Sequence, residues 1–333
     1  MSLFARLPKA ELHLHLEGSV RPTTAFELAA KNGVALPGDP ASLYSYDDLP
    51  QFLKVYGAVA SAMRTASDFH RTTYEMLEGC AQSGARHVEF FISPHARDVD
   101  FVVQFDGIVN GLRDAQRDFG LTALFAPGIN RERGPQAAEE YLDAVLALRV
   151  PEMAGIGLDY NEAPFPPEPY AAVFARARSA GLQVSAHAGE GGPAAYVRGS
   201  IAALGVARID HGYAVVDDPD LVAECLEKDI LFTCCPSTST VTTRHRDLTA
   251  CDHPIRLMRQ AGLRVTINSD DPPYFATTLA REYEIAHRDL GFSLPEIKQS
   301  ILTGLQGSWL EADEKARLAP LWAAEIDALI LQR

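Results

Sequence analysis

The sequence predicts an α/β protein, a (β/α)8 barrel of the TIM type with a helical insertion after the first strand. Three observations carry this expectation. Eight short apolar, β-branched or aromatic runs recur along the 333 residues, each followed by a helix-like segment. Histidines and carboxylates stand at the ends of the first, fifth, sixth and eighth runs, where such a barrel gathers its active-site groups. No G-x-G-x-x-G follows any run, so the structural alternative, an open doubly wound sheet, lacks its usual support.

Taken in order, Leu12–Leu16 reads as a short buried strand, and Pro22–Asn32 is helical in composition. Gly33, Pro37, Gly38 and Pro40 mark a loop, and the stretch from Asp48 to about Gln82 again favours helix. About seventy residues thus separate the first two strands, too many for one barrel connection, which predicts a helical insertion over one barrel end. Strands are then expected at 87–92, 121–126, 155–159, 183–187, 208–211, 230–234 and 264–268. Helices are expected at 101–118, 132–148, 170–180, 193–204, 218–227 and 253–261, and from Glu282 to the C-terminus. No repeat, low-complexity tract or linker interrupts this rhythm, so residues 1–333 read as one domain.

A net charge of −14 argues against nucleic acid or an anionic membrane as partner, and leaves a small neutral substrate open. The five cysteines, Cys80, Cys225, Cys234, Cys235 and Cys251, form no C-x-x-C pair, which predicts free thiols in a reducing cytoplasm. The N-terminus lacks a signal-peptide apolar region, and no run reaches membrane-spanning length. A soluble cytoplasmic protein is expected, with homo-oligomerisation left open.

The chemistry begins at His13-Leu14-His15-Leu16-Glu17-Gly18, where two histidines one residue apart on a strand point to one side. His187 and Glu190 follow the fifth strand, His211 ends the sixth, and Asp270 and Asp271 follow the eighth. Several histidines with a carboxylate at one barrel mouth are metal-site chemistry. A lysine-bridged metal pair is disfavoured because no lysine occurs between Lys54 and Lys228. A single ion is therefore expected, and imidazole and carboxylate ligands suit zinc. The competing structural readings are a helix-capping role for Glu190, a carbonyl-bonding role for His211 and a turn at Asp270-Asp271.

Four stretches carry a resemblance: Leu7-Pro8-Lys9-Ala10-Glu11-Leu12-His13-Leu14-His15-Leu16-Glu17-Gly18, His187-Ala188-Gly189-Glu190, Asp210-His211-Gly212 and Ser269-Asp270-Asp271-Pro272. In type, order and spacing they resemble the adenosine/adenine deaminase family over nearly the whole chain. The resemblance implies a (β/α)8 barrel that hydrolytically removes an amino group from a purine ring, with one zinc ion per chain. It implies His13, His15, His187 and Asp270 as zinc ligands, with Asp270 sharing the proton traffic. It implies Glu190 as proton donor to purine N1, His211 as the group that orients and deprotonates water, and Asp271 as a contact to N7.

Two departures bear on the substrate. Glu17 stands where the adenosine-specific branch has an aspartate that meets the ribose, and Asn161 stands where that branch has a glycine close to the purine. Both take space from a ribose, so free adenine is favoured as substrate, with Glu17, Asn161 and Asp271 as substrate-binding residues. Adenosine, or a modified adenine nucleoside such as aminodeoxyfutalosine, remains the alternative. A non-catalytic purine-binding protein on the same barrel and a barrel amidohydrolase acting on a pyrimidine or an amide are the competing classes.

Overall fold

The structure is a computed structural model and describes residues 2–46 and 49–332. The expected helix start at Asp48 and the domain limits Met1 and Arg333 lie outside the described residues.

Eight parallel strands run in sequence order around one sheet. They are β1 (Lys9–Glu11), β2 (Ala85–Ile92), β3 (Thr122–Asn130), β4 (Gly155–Asp159), β5 (Gln183–Ala188), β6 (Arg208–His211), β7 (Leu231–Cys234) and β8 (Arg264–Ile267). Helices lie between them, the (β/α)8 architecture expected from the eight apolar runs. β4 and β6 have the expected limits, and the other strands shift by up to four residues at an end, the first one apart.

The first strand requires a correction. Its ladder covers Lys9–Glu11, ahead of the expected Leu12–Leu16. Beyond Glu11 the chain stays extended but makes only single bridges, Leu14 to Asp270 and His15 to Phe91. The first of these closes the barrel. Asp270 N donates to His13 O at 2.9 Å, His15 N to Asp270 O at 3.1 Å, and Leu12 N to the Asn268 side chain at 2.9 Å. The extended chain still sets His13 and His15 on one side, with ring centroids 5.5 Å apart.

The insertion holds two helices where one long stretch was expected, Leu49–Ala62 and Ala66–Gln82. The break has a local cause. Thr65 and Asp68 form a reciprocal capping box, and Asp68 also draws in Arg64 N, Lys31 and Asn32. The insertion covers the mouth of the barrel, as expected. Tyr44 stacks on Tyr274 at 3.9 Å, Phe52 lies parallel to Phe275 at 5.7 Å, and the Tyr46 hydroxyl donates to Tyr274 O. Tyr274 and Phe275 directly follow Asp270-Asp271-Pro272-Pro273, so these rings lie over the strand ends that carry the polar residues.

Inside, Phe90, Phe125, Phe174 and Phe232 are fully buried among Val, Ile and Leu. Each such side chain contributes on the order of 1.5–3 kcal/mol, which holds the strand ends rigidly. All five cysteines are free thiols, four of them buried. Among the described residues no helix is long and apolar enough to cross a membrane.

Candidate metal and purine site

The C-terminal strand ends bring together His13, His15, His187, His211, Glu190, Asp270 and Asp271, all from the sequence expectation. Each has a structural reason to stand there. His211 and Asp270 close their strands in the left-handed region, at φ 67° and 61°, a strained conformation that turns the side chain off the strand into the mouth. Gly18 leaves room for Asp271, whose Oδ1 lies 1.5 Å from where a Cβ on that glycine would sit.

His13 Nε2 and His187 Nε2 are 3.1 Å apart. Their outer nitrogens are already engaged. His187 Nδ1 faces the Leu158 carbonyl at 3.2 Å, an acceptor only, so that nitrogen carries the proton and Nε2 is bare. His13 Nδ1 faces Thr233 Oγ1 at 2.9 Å, and that hydroxyl donates to Asp210 Oδ1 at 2.8 Å. The hydroxyl must therefore accept from His13, whose Nε2 is bare as well. Two bare lone pairs at this distance repel unless a cation or a proton lies by them. Asp270 Oδ1 lies 3.5 Å from His13 Nε2 and 3.4 Å from His15 Nε2. The set His13, His15 and His187 has ligand atoms within 4.8 Å of one another, as does His13, His211, Cys235 and Asp270. This donor set fits a divalent transition metal.

Electrostatics agree with the geometry. Burial opposes a charge on His13, but Asp270, Asp210 and Glu11 outweigh it and push it up to about 9. Burial, with the charge on His13 adding to it, pushes His187 and His211 down to about 3 against the nearby carboxylates. Burial works against the Asp270 carboxylate, yet His13, His211 and His15 hold it well below the usual range. Glu190 goes the other way, since burial and then Asp270 push its carboxyl up to about 8.

Glu190 Oε2 faces His211 Nε2 at 3.5 Å, and its Oε1 meets the Thr242 hydroxyl at 2.5 Å. His211 Nε2 also lies 3.9 Å from Asp270 Oδ2, while its Nδ1 faces the Tyr213 hydroxyl at 3.3 Å. Glu17 is buried, taking Ser93 N at 3.0 Å and an ion pair with Arg97. Asn161 stands apart. It is exposed, and its backbone N–H donates to Glu132 at 3.2 Å. The expected loss of ribose space therefore rests on Glu17 without Asn161.

Several residues of the site were missed in the sequence. Asp159 lies 3.8 Å from both His15 Nδ1 and His187 Nδ1, and these two imidazoles outweigh burial to hold it down at about 2. Such outer carboxylates orient metal-ligating rings. Glu162 accepts from Gly189 N, and from Glu190 N, Gly191 N and Gly192 N at 3.0 Å each, which fixes the loop that carries Glu190. Arg131, fully buried, donates to His187 O at 2.5 Å. Thr242 sits on a helix, Pro236–Thr242, that the Ser/Thr-rich sequence did not announce. The acids of the Asp159-Tyr160-Asn161-Glu162 stretch were the available signal, since two carboxylates just past a strand end need partners.

The profile of the family described as adenosine deaminase matches residues 8–324. An adenine deaminase of Sphingopyxis alaskensis is 38% identical over 323 residues, covering 95% of this chain and 94% of that one. One from Streptomyces coelicolor is 37% identical over 97% of this chain and 95% of its own length. Among solved structures, an amidohydrolase from Burkholderia ambifaria with bound zinc superimposes with a TM-score of 0.93 at 36% identity, covering 99% of this chain and 93% of that one. An adenine deaminase from Arthrobacter aurescens gives 0.91 at 35%, covering 97% and 99%.

Proposed function

The chain belongs to the adenosine deaminase family and is a purine deaminase, and on that premise we propose that it hydrolyses free adenine to hypoxanthine and ammonia, using one zinc ion. One observation carries the reading: three imidazoles converge with Asp270 at the barrel mouth, beside a half-buried carboxyl that keeps its proton near neutral pH. The adenine deaminase relatives, similar over nearly their whole length, support adenine as the base. The zinc of the Burkholderia ambifaria structure supports the choice of ion. The unbroken family match over residues 8–324 supports one catalytic domain.

His13, His15, His187 and Asp270 hold the ion. Bound there, it supplies Lewis acidity that makes a water molecule nucleophilic near neutral pH. C6 of the purine is a poor electrophile until N1 is protonated. Glu190 provides that proton because burial keeps its carboxyl neutral. His211 faces both Asp270 and Glu190, so its Nε2 orients the attacking water and takes its proton. Asp271 meets N7, and Glu17 lies toward the far edge of the base.

The test compares kcat/KM for adenine, adenosine and 5′-modified adenine nucleosides on the zinc-loaded enzyme, following loss of the adenine absorbance band. Adenine is expected to lead by tenfold or more. A tenfold lead for a nucleoside overturns the free-base reading, and turnover of none overturns the deaminase reading.

A further inference from the structure

We propose that the buried Glu17–Arg97 pair reads the N3–N9 edge of the purine and so excludes purines substituted at N9. The inference rests on the deaminase reading above and assigns the residues that separate the free base from its nucleosides.

Both side chains are nearly sealed from solvent, Arg97 at 2% and Glu17 at 1% exposure. Glu17 Oε1 is fully used, by Ser93 N and by Arg97 Nη2. Arg97 is itself anchored, through Nη2 to Ser93 O at 3.2 Å and over the Phe69 ring at 5.1 Å. Yet among the described residues Glu17 Oε2 has no partner, and neither do Nε and Nη1 of Arg97. A buried polar atom left unmet costs about 1–3 kcal/mol, more when charged, so folded chains rarely keep three on one ion pair. Together they present one acceptor beside donors.

The pair stands beside the metal ligands proposed above, since Glu17 lies on the same segment as His13 and His15. Glu17 lies two residues past His15 and adjoins Gly18, and the Asp271 carboxylate fills the space that a Gly18 side chain would take. Glu17 and Asp271 thus flank the base from the first and the last strand. Free adenine offers a donor, N9–H, next to an acceptor, N3, along one edge. Glu17 Oε2 accepts the first and an Arg97 N–H serves the second. In a nucleoside N9 carries carbon instead of hydrogen. Glu17 Oε2 then stays buried and unmatched, and the substituent points at the ion pair. Sites built to bond one group reject an analogue lacking it by factors up to about 10⁴–10⁵.

The experiment measures kcat/KM for adenine and 9-methyladenine on the zinc-loaded wild-type enzyme and on Glu17→Gln and Arg97→Met. The methyl group adds little bulk and chiefly removes the N9 hydrogen. Wild type is expected to prefer adenine by at least 100-fold. Each variant is expected to lose adenine efficiency by tenfold or more while 9-methyladenine changes little, so the ratio collapses. A purely structural ion pair would lower both substrates equally and leave the ratio intact, which would overturn the assignment. So would a wild-type preference under tenfold, a measurement that needs no variant to fold. Failure of the deaminase reading is distinct: neither base would then be turned over, whereas here both would be turned over alike.

Discussion

Glu190 shows how a single residue acquires a role from its surroundings. Its carboxyl is pushed up to about 8 by burial and then by Asp270. On the proposed mechanism the protonated form is the active one, so kcat/KM should hold steady below pH 8 and decline above it, by about tenfold per unit. Glu190→Gln keeps the shape but removes the transferable proton. Turnover should fall by roughly two orders of magnitude or more with metal content unchanged, read by steady-state kinetics and elemental analysis. His211 is held by Tyr213 on one nitrogen and faces Glu190 and Asp270 with the other. His211→Ala should lower kcat by roughly 100-fold, with a much smaller effect on KM and with the metal retained. Loss of the metal would instead make His211 a ligand.

At the scale of elements, the loop after β5 is held by a side chain from the end of β4. Glu162 collects four backbone N–H groups, from Gly189 to Gly192, and so fixes where Glu190 points. Glu162→Ala leaves those donors without their charged acceptor. The expected cost is about 2–4 kcal/mol of stability, measured by denaturant unfolding. Activity should fall further than folding alone explains, since the loop that carries the acid loses its anchor. The helix Pro236–Thr242 supports the same residue from the opposite side. Its first turn is capped by the buried Glu282, which accepts Ser237 N at 2.9 Å, and its last residue meets Glu190.

For the whole molecule, the proposed metal ligands come from both sides of the closure between the first and last strands. His13 and His15 follow β1, His187 lies on β5 and Asp270 follows β8. An ion held there ties these segments together, and the unfolded chain has no comparable site. Chelation should therefore lower the melting temperature, and zinc should restore it. The stabilisation is about 4 kcal/mol when free zinc is 1,000-fold above its dissociation constant. Elemental analysis of the restored protein should find about one zinc per chain. Two tightly held ions would contradict a mononuclear site.

The sequence by itself determined the architecture and which polar residues meet at the barrel mouth. Eight apolar runs with helices between them specify a parallel barrel, because such strands must be covered on both faces. The histidines and acids at the run ends could be read as a site because the barrel rule says where strand ends meet. Tertiary structure decided what depends on packing across distant segments. β1 is short because the chain past Glu11 pairs with Asp270 and Phe91 through single bridges, and no local pattern reveals that. The Glu17–Arg97 pair joins residues eighty apart in sequence. Asn161, which the motif placed against the substrate, turns outward at the end of β4. Hydrophobic period and motif spacing are local properties of the chain. Which buried polar group finds a partner is settled only when the strand ends converge.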